Sequence, residues 1–241
     1  MPRKKILLIN NQIYHVVLRG IDGRLLFEDD RDYYRAIHDL FEFNDIQPAP
    51  WHHRQFFKHY GVRPRSDPLA LSQKTKRQPR VLLVRVLSFC LMPNHIHLLL
   101  EQLRDKGISD FVKKLGGGYA TYFNAKYKRQ GHLFQGRFKA VHIQTQAQLQ
   151  TVFVYIHTNP AALADPNWKD GRVENPAEVI KFIENYKWSS YSDYLGKENF
   201  PSVTQRELFN QTMPREKWRA YVNDWVRHKA ERAWDKAVEL E

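Results

Sequence analysis

The chain has 241 residues, 42% of them hydrophobic and 13% aromatic, with a formal net charge of +12 at pH 7. That composition supports a sizeable core and excludes global disorder, and so basic a balance points to a polyanionic partner, nucleic acid ahead of a membrane surface. A single cysteine, Cys90, excludes an intrachain disulfide framework and argues against a cysteine-rich zinc site, and no apolar run reaches transmembrane length or forms a secretory signal, so a soluble intracellular protein is expected.

Residues Gln12 to Leu18 alternate, Tyr14, Val16 and Leu18 against His15 and Val17, and predict a first strand. Gly20 to Gly23 break it. Asp29 or Asp30 can cap a helix from Arg31 to Phe43, with Tyr34, Ile37, Leu40 and Phe41 at helical spacing. Residues 47–80 hold five prolines and little periodicity and read as a long loop or inserted lobe; from Trp51 to Arg80 eight basic residues face one acidic residue, Asp67. Val81 to Leu91 is dense in Val and Leu, as a sheet centre would be, and pairs through a Pro93-Asn94 turn with a strand running to Glu101. A helix from Ser109 to Tyr127 contains Gly116-Gly117-Gly118, each costing roughly 1 kcal/mol against alanine. Either it begins after them, or the backbone there approaches something closely. Phe138 to Gln144 give a last strand, and Gln146 to Asn159 a helix stopped by Pro160. Strand, helix, hairpin, helix, strand, helix is the order of a ferredoxin-like split βαβ antiparallel sheet, an α+β fold with helices on one face. Beyond Ala161 come the compact Trp188-Ser189-Ser190-Tyr191 and, from Pro214 to Glu241, an amphipathic helix with Trp218, Tyr221, Val222 and Trp225 at three/four spacing. Eight basic and eight acidic residues from Glu198 onward leave that tail without net charge, so it is expected to pack on the domain or on a partner.

Two segments carry chemistry. In Met92-Pro93-Asn94-His95-Ile96-His97-Leu98-Leu99, alternation puts His95 and His97 on one strand face, where two imidazoles can converge on one divalent metal. Two half-buried core histidines bonded to backbone carbonyls would give the same pattern. In Tyr155-Ile156-His157-Thr158-Asn159-Pro160, Tyr155 and Asn159 are four apart on a helix and share a face. Asn159 offers an amide oxygen, a hard ligand for Mg²⁺ or Mn²⁺, and Tyr155 a phenol that can attack phosphorus. Against this stands an ordinary amphipathic helix that Asn159 merely ends. From Arg104 to His142 nine basic residues face Asp105 and Asp110; Lys113, Lys114, Arg137 and Lys139 are candidates for phosphate contact. Tyr122, Phe123, Phe134 and Phe138 could stack on bases, though Phe123 and Phe138 are expected in the core. His52, His53 and His59 read as loop residues, and His132 and His157 as hydrogen-bonding or structural ones.

The chain resembles the single-tyrosine HUH nucleases, specifically the REP-associated tyrosine transposases. The resemblance is carried by the segment from Met92 to Leu99, Tyr119 through Asn124, Gly131-His132-Leu133-Phe134-Gln135-Gly136-Arg137-Phe138-Lys139, Tyr155 to Pro160, and Trp188 to Tyr191, in the family's order. It spans about Tyr14 to Gly196. It implies an HUH domain over 1–196, with the basic insert at about 47–80, and a helical C-terminal extension over 197–241. It further implies His95, His97 and Asn159 as ligands of one Mg²⁺ or Mn²⁺ ion and Tyr155 as the nucleophile forming a covalent 5′-phosphotyrosine. The partner implied is single-stranded or hairpin DNA with REP-like palindromes, cut and rejoined by a monomer or homodimer in the cytoplasm, associated with the nucleoid. A host-adapted hairpin-binding protein without catalysis is the alternative. The insert is longer than the family pattern, and Thr158 replaces a more usual apolar residue.

Overall fold

The structure, a computed structural model, describes residues 7–48, 79–168, 170–171, 173–212 and 214–228. The bulk of the basic insert, and the end of the chain beyond 228, therefore lie outside the described residues, as do His52, His53 and His59. Four strands form one sheet: β1 (Ile13–Arg19), β2 (Val84–Met92), β3 (His95–Gln102) and β4 (Lys139–Ile143), in the order β2-β3-β1-β4 with every neighbouring pair antiparallel. With α1 (Asp30–Glu42) between β1 and β2, and α2 (Gly107–Lys126) between β3 and β4, this is the ferredoxin-like arrangement.

The expected elements form close to their sequence limits. Asp29 caps α1 through a reciprocal box with Asp32. Thr145 and Gln148 do the same for α3 (Gln146–Thr158). Helix α2 starts two residues before Ser109 and runs straight through the three glycines. The reason differs at each. A Cβ on Gly118 would stand 2.3 Å from the Phe43 ring; one on Gly116 would make ordinary contact with Phe134; one on Gly117 would meet nothing within 4 Å. Close approach explains Gly118 alone.

The sheet departs from expectation in being covered on both faces. Tyr14, Val16, Leu18, Ile96, Leu98 and Leu100 face α1 and α2, packing on Ile37, Leu40, Phe111, Leu115, Tyr119 and Phe123. The opposite face, with Leu87, Cys90, Met92, Leu99 and Ile143, is covered by α3 and shares a second core with α4 (Pro176–Asn185) and α5 (Arg215–Arg227) through Phe153, Ile156, Ile183, Trp218 and Val222. A strand apolar on both sides requires two covering layers. Helix α5 is thus part of the second core; its sequence continuation to Glu241 lies outside the described residues.

The Trp188-Ser189-Ser190-Tyr191 segment protects the sheet's β2 edge. Leu91 N–H donates to the Trp188 carbonyl (2.8 Å), and Ser190 N–H to that of Phe89 (3.0 Å). The Ser190 hydroxyl also accepts from Phe89 N–H (3.0 Å) and lies 2.9 Å from His157 Nε2, tying the edge to α3. Among the described residues, no helix is long and apolar enough to cross a membrane.

Candidate active site

The second face of the sheet, under α3, holds the candidate residues. Antiparallel register sets Met92, His95 and Arg19 side by side across three strands, and Cys90, His97, Val17 and Lys139 in the next row. Opposed residues share a face, so His95, His97, Arg19 and Lys139 all belong to the layer that α3 covers. Helix α3 brings Tyr155 onto this layer. Its ring centroid is 5.4 Å from that of His97 and 5.8 Å from that of His15, edge-on to both. The His95 and His97 rings are 4.6 Å apart at 83°. Tyr155, His95 and Asn159 are each 7% exposed and His97 fully buried. Asn159 continues α3 in helical conformation, so it lies one turn past Tyr155 on the same side.

Each imidazole of the pair is anchored through Nδ1. His95 Nδ1 lies 2.6 Å from Asn94 Oδ1. An amide oxygen only accepts, so the ring nitrogen carries the proton. His97 Nδ1 lies 3.0 Å from His15 Nε2, with the two rings stacked at 22°. His15 is buried, and desolvation, with the neighbouring His95 charge, pushes its pKa down to about 3, so it is neutral at physiological pH. With both Nδ1 atoms so engaged, a metal would be met by the two Nε2 atoms and the Asn159 amide oxygen. Two borderline nitrogens and one hard oxygen suit a divalent ion, and buried imidazoles side by side on an otherwise apolar strand fit that donor set. Among the described residues no group of three His, Cys, Asp or Glu side chains could hold a metal.

The basic candidates divide between the layers. Arg137 is exposed in the loop leading to β4, and Lys139, exposed at the start of β4, belongs to the histidine face. Lys113 and Lys114 lie on α2, across the sheet. Lys113 is exposed, whereas the Lys114 ammonium donates to the carbonyls of Asp45, Ile46 and Gln47, and burial lowers its pKa against the pull of Asp45 and Asp110. Phe123 is buried and Phe138 half-buried against the first core. Tyr122 donates to Asp32 (2.8 Å) within a carboxylate cluster that also receives Lys126 and Tyr127. His157 is buried beside Phe153 and Tyr191.

Two residues of this layer carry no local mark in the sequence. His15 sat in the first strand's alternation with nothing local to mark it, because its partner is 82 residues away. Arg19 ends the same strand opposite His95.

The family described as "Transposase IS200 like" matches residues 70–159. No curated protein matches the chain. Among solved structures, one described as "Structure of the REP associates tyrosine transposase bound to a REP hairpin" aligns over 85% of this chain and 92% of that one, at 12% identity and a TM-score of 0.46. The matched segment, residues 70–159, is similar to that family and holds His95, His97, Tyr155 and Asn159.

Proposed function

We propose that the chain is a divalent-metal-dependent single-strand DNA endonuclease and strand transferase, acting beside palindromic hairpins through Tyr155. The observation that carries this reading is the Tyr155 ring packed edge-on against His97, itself beside His95, in the segment matched to transposases. His95, His97 and Asn159 would hold one Mg²⁺ or Mn²⁺ ion. Bound there, the ion would polarise a non-bridging phosphate oxygen and stabilise the phenolate of Tyr155, whose free pKa is about 10. Tyr155 Oη gives up its proton to solvent and forms a bond to phosphorus. The bond from phosphorus to the 3′ oxygen breaks, and that oxygen takes up a proton from solvent. The products are a 5′-phosphotyrosine and a free 3′-hydroxyl; attack by a 3′-hydroxyl reverses the step without an external energy source. Lys139, on the same face of the sheet as His97, and Arg137, two residues before it in the loop leading to β4, would hold backbone phosphates. The hairpin substrate rests on the order of the five sequence segments.

The test is single-stranded DNA bearing a palindrome, incubated with Mg²⁺ or Mn²⁺. The expected product stays attached to protein through denaturing electrophoresis, and Tyr155→Phe abolishes attachment while leaving binding. Cleavage by Tyr155→Phe at the wild-type rate contradicts the reading. Hairpin binding without cleavage in either metal would instead support a DNA-binding protein without catalysis.

A further inference from the structure

We propose that His15 is a positioning residue that fixes the tautomer and orientation of the His97 ring. The inference rests on the reading of His97 as a metal ligand and extends it to a residue outside the ligand set. His15 Nε2 and His97 Nδ1 are 3.0 Å apart, both rings are buried, and they stack at 22°. His15 is opposite Leu99, and Val17 opposite His97, so the bond runs diagonally along one face between β1 and β3. At that distance one ring nitrogen donates its proton and the other accepts it. His97 can offer an Nε2 lone pair to a cation only if its proton is on Nδ1. It then donates to His15 Nε2, and His15 carries its own proton on Nδ1. His95 has the same arrangement by other means, its Nδ1–H donating to Asn94 Oδ1 at 2.6 Å. Asn94 belongs to the turn before β3, so one anchor is local in sequence and the other comes from the neighbouring strand. A ligand ring held through its second nitrogen by an outer partner is how proteins fix imidazole orientation at metal sites.

The experiment has two readouts besides activity. In metal-free protein, ¹⁵N NMR of the histidine rings should show His97 protonated on Nδ1 with Nε2 unprotonated; the reverse assignment overturns the proposal whether or not the protein forms a DNA adduct. Mn²⁺ affinity, measured by titration without DNA, should weaken about tenfold or more in His15→Phe, which keeps the stacked ring and lacks the acceptor. His15→Gln, whose amide oxygen can accept from His97 Nδ1–H, should recover most of that loss. Circular dichroism and urea midpoints identify any variant that does not fold, and for such a variant the NMR assignment in the wild type decides. Wild-type affinity in His15→Phe, with none in His97→Ala, overturns the proposal and leaves the proposed function standing. A wild type that binds no Mn²⁺ overturns both.

Discussion

Substituting alanine at two glycines of α2 should shift stability in opposite directions. Gly117 is exposed in the helix interior, and a Cβ there would meet nothing within 4 Å. Gly117→Ala should therefore stabilise the protein by about 0.5–1 kcal/mol, from helix propensity and a less flexible unfolded chain. Gly107, the first residue of the same helix, is buried, and its Cβ would stand 2.3 Å from the Leu83 carbonyl oxygen, just before β2. A backbone oxygen cannot swing aside as a side-chain tip can, so α2 or the entry to β2 must move. Overpacking of this kind typically costs about 1–3 kcal/mol, which outweighs the propensity gain at a helix terminus. Gly118→Ala lies between, because the half-buried Phe43 ring can turn away. Urea denaturation followed by circular dichroism at pH 7 resolves these differences. A neutral Gly107→Ala would refute the close approach of α2 to the start of β2; a destabilising Gly117→Ala would show that something in the folded protein occupies that exposed face.

Two further predictions concern the support behind Tyr155. Burial holds the His157 pKa down at about 3, against 6.5 for a free imidazole, so the folded ring stays neutral while the unfolded one takes a proton. Its contribution to stability is complete above pH 6.5 and is lost as pH falls, by roughly 2 kcal/mol at pH 5; the unfolding free energy of wild type from urea denaturation should fall by that much more than that of His157→Gln between pH 7 and 5, and parallel declines would refute it. Trp218 is 2% exposed, with its ring 4.3 Å from Phe153 on α3. Trp218→Ala should cost about 3–5 kcal/mol and speed amide exchange across residues 146–158, and a loss below about 1 kcal/mol would mean that α5 does not brace α3.

Much of the candidate site's arrangement is legible in the sequence because its signals are local. Alternation placed His95 and His97 on one face, and helical spacing placed Asn159 one turn beyond Tyr155. The convergence of strand and helix followed from the order of elements and the resemblance rather than from any one segment. The second covering layer was written in β2 and β3, where Phe89 to Met92 and Leu98 to Leu100 are unbroken apolar runs, yet the element order alone suggested helices on a single face. His15 was invisible because strand pairing, not sequence, brings it to His97. Nothing local in the sequence shows that the Lys114 ammonium caps the carbonyls at positions 45–47. The three glycines looked alike, and only the folded neighbours separate Gly118, crowded by Phe43, from Gly117, which nothing touches.

Mass spectrometry of the covalent product tests the central claim most directly. After reaction with hairpin-flanked single-stranded DNA and Mn²⁺, the adduct is digested with nuclease and protease. The expected result is a phosphonucleotide on the peptide that carries Tyr155, lost in His95→Ala and His97→Ala. Modification at another residue, or DNA cleavage with that peptide always unmodified, would contradict it.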